Sequence, residues 1–131
     1  MRSYRIHAIL TSACDVFDSL NIAEDIQKNE VKRQVAAAFV FGFINAFAFE
    51  QKLEPPHVHG VLISILMNKF GYSNKQSIDF AQILIHATSN KNDPTTNAVI
   101  HHGVESYYQY RANDIKALRH NYINVLSKIG E

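Results

Sequence analysis

Apolar positions recur at helical spacing along most of the chain. Between Ser3 and Leu20, residues Ile6, Leu10, Ala13, Phe17 and Leu20 follow one another at steps of four and three, with Ile9, Cys14 and Val16 widening the stripe. This pattern predicts a first amphipathic helix. Asn21 and Glu24 have the spacing of a capping box, in which two side chains satisfy free backbone N–H groups at a helix start. The polar segment to Gln34 is either the solvated first turns of the next helix or a short helix broken near Asn29.

The pattern changes from Val35 to Phe49, VAAAFVFGFINAFAF, where Asn45 is the single polar side chain. A helix apolar on every side must be surrounded by protein or lipid. At ~1.5 Å per residue the run spans roughly 22 Å, short of the ~30 Å of a bilayer core, and charged residues flank it. We read it as the core of a central helix from about residue 31 to 53. Phe39, Phe43 and Phe47 form one ridge, and Ala38, Gly42 and Ala46 form a groove of small residues beside it. Such a groove admits another helix at close range, from this chain or from a second copy. Asn45 is expected to hydrogen-bond a neighbouring helix, because an unsatisfied buried amide costs about 1–3 kcal/mol.

Pro55-Pro56 ends this helix and opens another through Val58, Leu62, Ile65 and Leu66 to Gly71. Ser73 and Gln76 form a second capping box, ahead of a helix that carries Ile78, Ala81, Leu84, Ile85 and Thr88 inward. Asp93-Pro94 is an N-cap followed by a first-turn proline. The helix after it holds Val99, Ile100, Gly103, Val104, Tyr107 and Tyr110 on its inner half. Asn113-Asp114 marks a kink or caps a last helix, whose stripe runs through Ile115, Leu118, Tyr122 and Ile129 to Gly130. No window alternates with period two. The expected fold is an all-α, single-domain bundle (residues 1–131) of five or six helices packed around the central one.

Composition agrees with a folded core, with 47% hydrophobic and 19% charged residues in a chain of 131. A formal net charge of +1 leaves no electrostatic footprint for nucleic acid or an anionic membrane, and neither is expected as a partner. Cys14 is the single cysteine and sits on an apolar face, so it reads as a buried thiol in a reducing compartment. The N-terminal segment lacks the continuous apolar stretch of a signal peptide, and a cytoplasmic location follows.

Seven histidines are the first place to look for chemistry. His101, Glu105 and Tyr108 share one flank of the helix after Pro94, at steps of four and three. An imidazole and a carboxylate one turn apart can bind a metal or act as base and orienter. Helical metal signatures need a second such pair, which is absent, so neither a metal nor another cofactor is expected. No phosphate-cradling loop and no nucleophile motif is present. The run Tyr107-Tyr108-Gln109-Tyr110-Arg111 instead carries residue types enriched at the energetic centres of protein interfaces. His101, Glu105, Tyr108 and Arg111 are therefore the candidate partner-binding residues.

With FVFGFINAF (Phe39–Phe47) on a core helix and HHGVESYYQYR (His101–Arg111) on a late one, the chain resembles the small all-α immunity proteins that bacteria keep beside secreted toxins. The resemblance implies a non-enzymatic protein that binds a toxin domain and blocks its active site. Two alternatives stand beside it. One is a small metal- or ligand-binding enzyme using His101 and Glu105, with His57, His59 or His86 supplied from other helices. The other is a homodimeric scaffold joined through the Ala38/Gly42/Ala46 groove, so that the protein is a monomer or a homodimer.

Overall fold

Seven helices form among the described residues, most with an identifiable cap. The computed structural model describes residues 2–89 and 93–129, with side chains from Tyr4 onward; Gly130, at the end of the last predicted stripe, lies outside them. In chain order these are α1 (Arg2–Leu20), α2 (Ala23–Lys28), α3 (Glu30–Glu50), α4 (Pro55–Asn68), α5 (Asn74–Ala87), α6 (Pro94–Arg111) and α7 (Ile115–Ile129). No strand occurs among the described residues, and the fold is all-α.

The count reaches seven because both breaks left open by the sequence are real. Asn29 is extended (φ −143°), and its side chain accepts a hydrogen bond from the Lys32 amide at 3.1 Å, capping α3. Asn113 is left-handed (φ 61°) and closes α6, after which Asp114 accepts from the Ala117 amide at 3.1 Å to start α7. The expected Asn21/Glu24 capping box does not form. Asn21 adopts φ 58° and terminates α1 instead, and Ile22 stands as the N-cap of α2 without a side-chain bond. The box at Ser73 and Gln76 does form, and the Asp93 side chain accepts from the Thr96 amide at 3.2 Å. The central helix stops at Glu50, earlier than the expected end near Leu53. Lys52 turns left-handed there (φ 57°) and lets the Leu53 amide reach the Ala48 carbonyl at 3.0 Å.

Every residue of α3 from Val35 to Ile44 is buried. Helices α1, α2, α4, α6 and α7 pack on α3, while α5 bridges α4 and α6. One stripe differs from expectation. The inward ridge of α5 is Ser77, Ala81, Leu84 and Ala87, leaving Ile78 and Ile85 at 40% and 37% exposure. The sequence places both isoleucines one position off that ridge, so they lie at its edge.

Helices α3 and α6 run parallel, with Phe43 and Phe47 meeting Tyr107, and Glu50 meeting Arg111. Their closest approach is Gly42 against Gly103. A Cβ added to Gly42 would strike the Ile100 carbonyl oxygen and lie 2.8 Å from Gly103 Cα; one added to Gly103 would strike the Phe39 carbonyl oxygen and lie 2.9 Å from Gly42 Cα. In each direction a glycine Cα faces the carbonyl three residues before the opposite glycine, a geometry that favours reciprocal Cα–H···O contacts. The small-residue groove is therefore filled at Gly42 by α6 of the same chain. The phenylalanine ridge packs its flank, with edge-on contacts from Phe39 to Tyr122 (5.3 Å), Phe43 to Tyr110 (5.3 Å) and Phe43 to Tyr107 (5.6 Å).

A polar network fastens the start of α3. Arg33 donates to the Phe70 carbonyl at 3.1 Å and lies 3.8 Å over the Tyr72 ring, while the Tyr72 hydroxyl donates to Glu30 at 3.1 Å. Burial and then the bond to Glu30 push the Tyr72 hydroxyl up to about 12. Burial and the charge of Asp25 do the same to Tyr122, also to about 12. No helix among the described residues is long and apolar enough to cross a membrane.

Candidate functional site

Helix α6 buries one side against α3 and presents the other to solvent. Val99, Ile100, Gly103, Ser106 and Tyr107 make the buried side. His101, Glu105 and Tyr108 lie exposed on the opposite side, as the steps of four and three require, and Arg111 lies exposed at its border with α3. Three of the four candidate residues thus share one helix face, and the four do not form one bonded cluster.

Glu105 turns toward His102, not His101. The His102 Nδ1 atom lies 2.8 Å from a Glu105 carboxylate oxygen, at ion-pair distance but without the alignment of a hydrogen bond. His101 and Glu105 are one turn apart and still unpaired, so the base-and-orienter reading loses its geometric basis. Among the described residues, no three His, Cys, Asp or Glu side chains converge on a position that could hold a metal ion. His57, His59, His86 and His101 accordingly form no ligand set. Burial raises the Cys14 thiol above its ordinary range, which disfavours the reactive thiolate.

Tyr108 is 53% exposed and is the largest apolar surface on this face. Its ring meets Tyr107 at 5.3 Å in an edge-on contact. Tyr107 is fully buried and donates its hydroxyl to Glu50 at 2.6 Å. Arg111 donates to the same Glu50 oxygen at 2.7 Å and to the Tyr107 hydroxyl at 2.8 Å. Burial and then the bond to Glu50 raise the Tyr107 hydroxyl above its ordinary value. The three-way contact ties the end of α6 to the end of α3 and gives Tyr108 a fixed backing. Pre-ordered aromatics lose little entropy when a partner docks. Sequence reasoning missed Glu50, which reads as the charged end of an apolar run, since nothing local links it to a residue 61 positions away.

A polar groove opens beside this face, between α6 and α7, with a volume of about 530 Å³. Helix α6 contributes His102, Glu105 and Gln109; α7 contributes Lys116, His120, Asn124 and Lys128. Asn121 joins the two walls by donating to the His102 carbonyl at 2.9 Å and to the Gln109 side chain at 3.3 Å. Elsewhere, Asn45 lines an apolar pocket of about 370 Å³ with Phe49, Leu53, Val58, His59 and Ile85. Asn45 makes no side-chain hydrogen bond among the described residues; it is only half-buried, and its amide is not a buried group in need of a partner.

Over residues 6–130 the sequence matches the family model described as Immunity protein 48. The chain belongs to this immunity protein family. No curated protein and no solved structure matches the chain.

Proposed function

We propose that this protein binds a toxin domain and neutralises it by occupying its surface, as a non-enzymatic immunity protein of the bacterial cytoplasm. Family membership over residues 6–130 is the observation that carries the reading. The exposed face of α6 supports it with a means: Tyr108, backed by Tyr107 and the Glu50–Arg111 pair, with His101 and Glu105 beside it. A rigid aromatic flanked by an arginine is the composition that concentrates binding energy in protein interfaces. The partner is a protein, not nucleic acid or membrane. The small-residue groove does not supply a second-copy seam at Gly42, since α6 occupies it.

The test is protection in cells. A secreted-toxin domain, sought among the genes neighbouring this one, is expressed inside a bacterial host, with and without the intact protein. Growth restored by the wild-type chain and lost with Tyr108→Asp is the expected result. Growth that stays arrested in the presence of abundant, folded wild-type protein would overturn the reading.

A further inference from the structure

We infer that the groove between α6 and α7 receives an acidic segment of the toxin domain, so that α7 is the electrostatic half of the interface and α6 the aromatic half. The inference rests on the toxin-binding reading and adds the chemistry of the partner. Helix α7 carries Lys116, Arg119 and Lys128 and has no carboxylate within it. Lys116, His120, Asn124 and Lys128 recur every four residues and line one wall of the groove. The two lysines mark its ends, about 18 Å apart along the helix. None of Lys116, Arg119 and Lys128 forms an ion pair among the described residues.

Two carboxylates also line the groove. Glu105 lies against His102, and Asp114 accepts the Ala117 amide at the start of α7, where the helix dipole favours its charge. The α7 cations therefore face solvent without a carboxylate partner among the described residues, while Asp114 is held at the start of α7 and Glu105 stands on the opposite wall. That imbalance is complementary to a row of carboxylates. A nucleic acid fits less well, since no aromatic ring of a Phe, Tyr or Trp among the described residues lines the groove for bases to stack on.

The experiment uses the full chain and an inactivated secreted-toxin domain taken from the genes neighbouring its own. Lys116→Glu with Lys128→Glu should weaken binding by about tenfold or more at low salt, mainly through slower association, and the gap should shrink at high salt. Lys75→Glu on α5, remote from the groove, should change affinity less than about twofold. Circular dichroism of each variant separates loss of binding from loss of fold. Unchanged affinity in the folded double variant would overturn the acidic-segment assignment while leaving toxin binding intact. Failure of the wild-type chain to bind the toxin domain would overturn both. In a second arm, the isotopically labelled protein is titrated with oligoglutamate and with oligouridylate. Amide shifts confined to Lys116, His120, Asn124 and Lys128 with oligoglutamate are expected; stronger binding of oligouridylate would assign the groove to nucleic acid instead.

Discussion

Gly42 of α3 and Gly103 of α6 meet back to back, each blocking the space a Cβ would need at the other. The atoms a methyl group would strike are backbone carbonyls, which cannot rotate away as a side chain can. Gly42→Ala and Gly103→Ala should each cost about 3 kcal/mol or more, because relief requires the two helices to separate along their shared core. Urea unfolding of each variant checks this. A loss below about 1 kcal/mol would show that the crossing is looser than described.

Gly60 offers the opposite case. It lies exposed within α4, and a Cβ there would meet nothing within 4 Å. Gly60→Ala should stabilise the protein by about 0.5–1 kcal/mol through a stiffer unfolded chain and better helix propensity. The thermal midpoint should rise by a few degrees.

The Tyr107–Glu50–Arg111 contact mixes a buried group with an exposed ion pair. Tyr107→Phe should cost about 1 kcal/mol, the usual net value of one hydrogen bond. Arg111→Ala should cost less than Tyr107→Phe, because its pair with Glu50 is screened by water. A double-mutant cycle between the two would measure their coupling, which a shared bond to one Glu50 oxygen requires to differ from zero.

Alkaline pH should weaken the fold through its buried tyrosines. Tyr72 and Tyr122 both titrate near 12 in the folded chain, against about 10 when unfolded. Their folded pKa values are raised, so the contribution is complete below pH 10 and is lost as pH climbs through 12. Tyr122 should lower stability by up to about 1.4 kcal/mol per pH unit in that window, and Tyr72, whose hydroxyl is more screened by water, by less. Denaturation followed between pH 9 and 11.5 should show Tyr122→Phe flattening the decline. An unchanged slope would exclude Tyr122 from it.

The helices were readable because their signals are local. Ser73 with Gln76 and Asp93 with Pro94 place bonding groups within one turn of each other, and the run from Val35 to Phe49 announces a buried helix by composition alone. The left-handed residues Asn21 and Lys52 were not readable, since the same residue types fit a cap or a helix interior. The groove at Gly42 was visible as a row of small residues, but its occupant was not. Gly103 lies 61 positions away, and its mate is set by the packing of all seven helices. Glu105 has histidines at both permitted spacings, three and four residues away, and only the side-chain torsions in the fold select His102. The outward face of α6 was legible for the same reason as its inward one, because a single periodicity defines both.

Calorimetric titration of the intact protein with an inactivated secreted-toxin domain, taken from the genes neighbouring its own, tests the central claim most directly. Wild-type protein should give a saturating one-to-one complex, and a folded Tyr108→Asp variant should bind about tenfold or more weakly, as loss of an interface anchor does. No complex with the wild-type chain, or equal affinity for the variant, would contradict the assignment of the α6 face as the neutralising surface.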